Sequence, residues 1–345
     1  MTRTLERHFH DTVSGRRRTI GSALQRAILH GLSLPYGAAM RVRNGCYQRG
    51  LLTTHGVDVP VISVGNLTMG GTGKTPIVHW ICDRLRARGN TPAVLMRGYR
   101  AESGRKGDEQ RLLEEHELIV HADPDRVRGA RELLRRHPSV DRIVLDDGFQ
   151  HRRLRRDLDL VVIDATNPFG YGHVFPRGTL REPVSGLRRA DAVIINRSSL
   201  VEPSALREIE SRVASIKPQC PVFHGDTVHE GLLDEHGDLL PMARLRHTPY
   251  LLACAIGNPD ALIEQLSQLA GPREVFAYRD HHAFTSRDLE DLRQSAVGLG
   301  AEAIVVTEKD WVKLRALSQA DATPIAIWRI KTSVKLDENL LSLLP

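Results

Sequence analysis

Short runs of branched apolar residues recur along the chain, each closed by a glycine-rich or acidic turn and most followed by apolar residues at helical spacing. Val61 to Val64, Thr91 to Met96, Arg142 to Leu145, Leu158 to Asp164 and Ala192 to Asn196 read as five buried strands. Between them, Ile77, Val78, Trp80, Ile81 and Leu85 mark one helix, and residues 124–136 mark another, with Asp123 as its expected cap. Strands alternating with helices at this spacing predict a parallel sheet with right-handed crossovers, and ligands gather at the carboxyl ends of such strands. Beyond Pro221 the pattern resumes after an inserted hairpin, Thr227 to Leu240, that turns at Glu235-His236-Gly237-Asp238. The strands Tyr250 to Ala255, Glu274 to Tyr278 and Ala303 to Thr307 follow, with helices after Pro259 and from Arg287.

The N-terminal region differs. Residues 1–17 are polar, rich in His and Arg, and expected to be poorly ordered. Leu24, Ile28 and Leu32 then repeat every four residues until Pro35 interrupts, and a second segment from Tyr36 to Leu52 mixes Met40, Val42, Tyr47 and Leu51 with arginines. The resulting division is a basic amphipathic segment at 1–55, a nucleotide-binding core at 56–220, and a second α/β part at 221–345 that closes on the nucleotide site.

Composition sharpens this reading. A 345-residue chain with 41% hydrophobic and 26% charged residues suits a globular α/β protein. The four cysteines are far apart, which argues against a disulfide framework or a zinc site. No apolar run is long enough for a spanning helix, and the N-terminus lacks the apolar core of a signal peptide. The net charge of +6 is local: residues 1–55 hold nine arginines against Glu6 and Asp11, so the rest of the chain sums to −1. That excludes a nucleic-acid groove across the whole protein. Residues 20–52 fit either helices with a solvated basic face or a segment lying at an anionic membrane surface.

The chemistry centres on Val61 to Pro76. An apolar strand runs into Gly70-Gly71-Thr72-Gly73-Lys74-Thr75 and then into a helix. Glycines let successive backbone N–H groups turn inward around phosphates, the lysine reaches the terminal phosphates, and the threonine hydroxyl serves Mg²⁺. Thr68 occupies the place where the strict motif has its first glycine. Leu145-Asp146-Asp147 has the form of a strand ending in carboxylates for Mg²⁺. Asp108-Glu109, the Asp280-His281 pair and the run Arg152, Arg153, Arg155 and Arg156 are weaker signals, since on their own such residues are more often features of an exposed loop.

These pieces and their order resemble the tetraacyldisaccharide 4′-kinase family, the lipid A kinases of Gram-negative bacteria, along nearly the whole chain. The matching stretches are Val64 to Thr68 with Gly70 to Pro76, Arg97-Gly98-Tyr99, Gly107-Asp108-Glu109, Asp146 to His151 and Arg156 to Asp159. Pro176-Arg177-Gly178, Leu180-Arg181-Glu182-Pro183, Ile256-Gly257-Asn258-Pro259, Asp280-His281-His282 and Thr307-Glu308-Lys309-Asp310 complete the series. The resemblance implies a kinase that transfers the γ-phosphoryl of ATP to the 4′-hydroxyl of a tetraacylated glucosamine disaccharide. It implies Asp108 as the catalytic carboxylate with His281 as partner, and Lys74 and Thr75 on the ATP phosphates and Mg²⁺. It also places Glu109, Asp146 and Asp147 at the metal and phosphate site, with His151, Arg181 and Glu182 around it. A membrane contact through residues 20–52, a peripheral place on the cytoplasmic face of the inner membrane, no nucleic acid and no obligate protein partner are further implications. Two departures stand out: Gln110 replaces the family's usual proline, and the stretch between Tyr99 and Gly107 is short.

Two rival readings have their own signatures. A guanine-selective switch protein needs an Asn-Lys-x-Asp string, and Thr307-Glu308-Lys309-Asp310 lacks the Asn. A nucleic-acid-stimulated ATPase needs aromatics among its basic residues, which the N-terminal arm lacks.

Overall fold

The computed structural model describes residues 2–98, 107–257, 259–280, 282–318 and 325–345. The Tyr99 and Asn258 motif positions and His281 lie outside them. The chain divides into two compact units, the first made of residues 1–99, 117–227 and 334–345, the second of 100–116 and 228–333.

The chain begins with helices α1 (Thr2–Val13) and α2 (Ile20–Gln48), then β1 (Val61–Asn66), α3 (Lys74–Ala87), β2 (Pro92–Met96), α4 (Asp108–Glu115) and β3 (Ile119–Ala122). It continues through α5 (Arg126–Arg136), β4 (Arg142–Asp146), β5 (Leu158–Asp164), β6 (Ala192–Asn196), α6 (Pro203–Ile216), β7 (Val222–Leu233), β8 (Leu239–Leu240) and β9 (Tyr250–Cys254). The last elements are α7 (Pro259–Ser267), β10 (Glu274–Ala277), α8 (Ser286–Gly298), β11 (Ala303–Thr307), α9 (Glu308–Ser318) and β12 (Ala326–Leu336).

In the first unit the strands lie in the order β7-β6-β5-β1-β4-β2-β3, all parallel. Every residue of β1, β2, β5 and β6 is buried, as a sheet covered by helices on both faces requires. One core joins Val61, Ala93, Leu95, Ile143 and Leu145 to Val127, Ala130 and Leu133 of α5. Another joins Leu67, Phe149, Val161, Val193 and Ile195 to Ile209 and Val213 of α6. The register sets Val64 of β1 beside Asp146 of β4, so the phosphate loop and the paired aspartates leave the sheet at the same end. Gly65 makes that approach possible, since a Cβ there would stand 2.5 Å from Cβ of Phe149.

In the second unit β10-β9-β11-β12 are parallel, and β7 and β8 form the antiparallel hairpin expected from the sequence. Leu251, Leu289, Leu292, Trp311 and Leu314 pack α8 and α9 on these strands.

Three expectations are corrected. Residues 2–13 are helical, not poorly ordered. Pro35 does not divide the next segment: α2 runs through it from Ile20 to Gln48. A reciprocal cap between Thr19 and Ser22 holds the helix start. Beyond the proline, Tyr36, Arg43 and Asn44 bond to the body of the unit, which offsets the one backbone bond Pro35 removes. The cap of α5 is Asp125, which accepts from the N–H of Val127 and Arg128. Asp123 instead grips the Arg128 guanidinium at 2.8 Å through both oxygens.

Candidate active site

The phosphate loop follows from local geometry. Gly73 caps α3 in the left-handed region (φ 81°), and Gly70 is also at positive φ, 110°, conformations in which a side chain is strained. The loop is tied down from below. Buried Asn66 donates through Nδ2 to the Thr68 carbonyl at 2.8 Å and to Thr72 Oγ1 at 3.2 Å. Buried Asn196, from the end of β6, donates to the Thr72 carbonyl at 2.9 Å. A Cβ on Gly73 would stand 2.3 Å from Asn196 Nδ2, so that glycine is needed for space as well as for its backbone. Thr68 is buried and lies under the loop, where the strict motif's first glycine would stand.

Lys74 and Thr75 open α3 with the free N–H groups of its first turn beside them. Lys74 Nζ lies 3.3 Å from Asp147 Oδ1. Thr75 Oγ1 donates to Asp146 Oδ2 at 3.3 Å. Arg181 holds Asp147 at 2.8 and 2.7 Å through one nitrogen. Asp147 is itself a non-glycine residue in the left-handed region (φ 58°), a strain of the kind kept at functional sites. Burial pushes its carboxyl upward, but Lys74 and Arg181 outweigh burial and hold it down at about 2. The site therefore presents a carboxylate already clamped between two cations.

His151 closes the Asp146–His151 turn. Burial, and then the charge of Arg126, push its imidazole down to about 4, so it is neutral at physiological pH. Glu182 is fully buried. It accepts from Arg189 through both oxygens, from Gln150 and from Asn44 of α2, while Arg189 lies 4.2 Å over the Phe149 ring. Burial pushes its carboxyl up, yet these donors bring it below the usual range. Glu182 thus fixes the loop that carries Arg181.

Sequence reasoning missed Arg126. It is 2% exposed, and its Nε and Nη2 have no hydrogen-bond partner among the described residues. Only Nη1 is engaged, on the Asp123 carbonyl at 2.5 Å. Burial lowers its pKa to about 10, and Asp147 and Asp146 oppose that fall, so the guanidinium stays charged. A buried cation with two idle donors beside paired aspartates suits an anionic ligand. The signal was faint because an arginine at the start of an Arg-rich helix reads as a solvated residue. The arginine run resolves differently. Arg156 is paired with Asp159 and buried, and Arg153 reaches Asp125. Arg152 donates to the Asn44 carbonyl and lies over the Tyr47 ring. These are packing roles.

In the second unit Asp108 and Glu109 form the first turn of α4, with Gly107 as the cap residue. Asp108 Oδ2 is 3.1 Å from Lys313 Nζ. Gln110, which replaces the family's proline, donates to Glu114 at 3.0 Å. Asp280 pairs with Lys309 at 2.9 Å, and His282 stacks on Tyr278. The partnership expected between Asp108 and His281 lies outside the described residues.

Residues 25–344 match the family described as tetraacyldisaccharide-1-P 4′-kinase. The tetraacyldisaccharide 4′-kinase of Bdellovibrio bacteriovorus is 34% identical over 331 residues, covering 91% of this chain and 95% of that protein. The probable mitochondrial tetraacyldisaccharide 4′-kinase of Arabidopsis thaliana is 34% identical over 333 residues, covering 85% and 83%. The chain is also similar to the crystal structure of LpxK from Aquifex aeolicus in complex with ATP. The TM-score is 0.71 at 26% identity, covering 92% of this chain and 98% of that one.

Proposed function

The chain belongs to the tetraacyldisaccharide-1-P 4′-kinase family, and on that premise we propose how its residues divide the reaction. It is a phosphotransferase that moves the γ-phosphoryl of ATP to the 4′-hydroxyl of a tetraacylated glucosamine disaccharide 1-phosphate in lipid A biosynthesis. The observation that carries this reading at the atomic level is the Lys74–Asp147–Arg181 clamp set directly beneath a glycine loop.

The N–H groups of residues 70–75 receive the phosphates, and Lys74 leaves Asp147 to meet their charge. Thr75 and Asp146 supply hard oxygen donors 3.3 Å apart, a set that fits Mg²⁺. Mg²⁺, when bound there, neutralises phosphate charge. Asp147 and Arg181 keep Lys74 oriented between turnovers, and Arg126 offers its idle donors to a phosphate oxygen. His151, neutral and next to Arg126 in charge range, accepts or donates one hydrogen bond without adding charge. Asp108 takes the proton of the sugar hydroxyl, with His281 as its partner. Glu109, half-buried on the same turn, is assigned to the metal by family resemblance alone.

The test is transfer of radiolabelled γ-phosphate from ATP to a detergent-dispersed tetraacylated glucosamine disaccharide 1-phosphate. Label in the lipid, dependent on Mg²⁺, is the expected result. A folded, ATP-binding protein that labels no lipid would overturn the reading.

The membrane is the second element of the proposal. No helix among the described residues is long and apolar enough to cross a bilayer. On α2, however, Ile20 is 92% exposed, Leu24 63% and Ile28 55%, all on one helical face, with Arg17, Arg18 and Arg26 close by in sequence. That combination fits a helix lying at the anionic cytoplasmic face of a bacterial inner membrane. Replacing Leu24 and Ile28 together with glutamate is expected to weaken co-sedimentation with phosphatidylglycerol vesicles by about tenfold or more, since two apolar side chains would lose their burial. Unchanged vesicle binding would place the contact elsewhere.

A further inference from the structure

We propose that Lys313 is the positioning residue for Asp108, locking its carboxylate in place through an ion pair anchored on buried Asp310. The proposal rests on Asp108 being the carboxylate that takes the hydroxyl proton.

The second unit builds this anchor in three steps. Asp310 on the first turn of α9 is fully buried. Its Oδ2 accepts from the Ala255 N–H at 2.9 Å and from Thr307 Oγ1 at 2.7 Å, while its own N–H returns to Thr307 Oγ1 at 3.2 Å. One oxygen is thereby fixed to the end of β9 and the end of β11. The other, Oδ1, faces Lys313 Nζ one helical turn along, at 3.3 Å. Lys313 is 8% exposed and lies 5.8 Å from the Phe284 ring, so its stem is packed and its ammonium has little freedom. The same nitrogen reaches Asp108 Oδ2 at 3.1 Å. A chain of contacts thus runs from the sheet, through Asp310 and Lys313, to the first residue of α4.

Docking of α4 on α9 alone does not require this arrangement. Arg315 of α9 already pairs with Glu115, the last residue of α4, at 3.1 Å. Without Lys313, Asp310 keeps the two bonds at Oδ2 and its N–H bond to Thr307, while Oδ1 loses the ammonium it faces. What Lys313 adds is a contact to the Asp108 carboxylate, which sits at the point where α4 begins, on a glycine cap that supplies no side-chain bond of its own. An ammonium with three donors serves two carboxylates and fixes the position of the more exposed one. A proton acceptor displaced by about 1 Å loses roughly a hundredfold in rate. The consequence is that the geometry of the reacting carboxylate is inherited from the core of the second unit.

The experiment is a double-mutant cycle on Lys313→Met and Asp108→Ala, read by phosphate transfer to the lipid disaccharide. Lys313→Met alone is expected to lower kcat roughly 10- to 100-fold, with KM for ATP and for lipid within about twofold, and Lys313→Arg is expected to restore part of the loss. In the Asp108→Ala background, Lys313→Met should cost nothing further, because the group it orients is gone. An equal loss in both backgrounds would give Lys313 an independent role and overturn the proposal. So would a rise in KM at constant kcat, or wild-type turnover in Lys313→Met. If Asp108→Ala itself keeps wild-type kcat, the base assignment falls and this proposal falls with it, a result distinct from the others. Should Lys313→Met fail to fold, Asp310→Asn takes its place. It keeps an oxygen for Ala255 and loses the charge facing Lys313, and it should lower kcat without moving KM. Wild-type turnover in that variant would overturn the anchor.

Discussion

Lys74→Met is expected to lower kcat for phosphate transfer by roughly a thousandfold or more, while the protein still folds. The magnitude follows from the chemistry of the step. Charge spreads over the transferred phosphoryl group, and a single preorganised cation or donor in such a site is worth roughly 10²- to 10⁵-fold. Lys74 begins the helix at the loop, where the partial positive charge of α3 adds to its own. The fold is spared because, among the described residues, Lys74 makes one ion pair, at 3.3 Å, with an aspartate that Arg181 also holds. Asp147 is thus left with a cationic partner, so the variant does not strand a buried charge. The check is a pair of measurements on one preparation: label transferred to lipid, and the thermal midpoint. Turnover near wild type would remove Lys74 from the phosphate site, whatever the loop looks like. A collapsed midpoint would mean that the Lys74–Asp147 pair is structural.

The same clamp shows what the sequence could and could not reveal. The loop, its lysine and the paired aspartates were legible because each depends on a local pattern: strand, glycines, helix, and a strand that ends in acid. The division of labour within the pair was not legible. Asp146 meets Thr75 and Asp147 meets Lys74 and Arg181, a difference set by the left-handed backbone at Asp147 and by a loop more than thirty residues away in sequence. Arg181 entered only through family resemblance, since nothing in its own neighbourhood says that it reaches Asp147. Arg126 was lost for the opposite reason. Its surroundings, Asp125 to Arg136, look like a solvated helix, and only the folded chain shows that this one guanidinium points inward.

The strands β3 and β12 were missed for similar reasons. Ile119–Ala122 is a half-buried edge strand of mixed polarity. Ala326–Leu336 interleaves Arg329, Lys331 and Lys335 among its apolar residues, which masks a strand whose alternate positions are buried. Where a residue's burial depended on its immediate neighbours, the chain could be read. Where it depended on pairing across the sheet, it could not.

Asp108→Asn is expected to lower kcat by roughly 10²- to 10⁴-fold, the usual contribution of a positioned general base, with little change in KM for ATP. The substitution is chosen for its shape. Asparagine keeps an oxygen toward Lys313, 3.1 Å from the present carboxylate, and keeps a short polar side chain at the start of α4. It removes the capacity to take a proton. A loss of rate with α4 still in place therefore reports chemistry and not packing, which Asp108→Ala cannot separate as cleanly. The partner lysine makes the comparison stricter, because Lys313 retains Asp310 at 3.3 Å in either variant and has no cause to move. Full activity in Asp108→Asn would mean that the hydroxyl proton leaves by another route, and the base would have to be sought in the Asp146–Asp147 pair at the end of β4. A hundredfold loss together with a matching rise in KM for the lipid would instead make Asp108 a binding residue for the sugar, held by Lys313 for recognition and not for proton transfer.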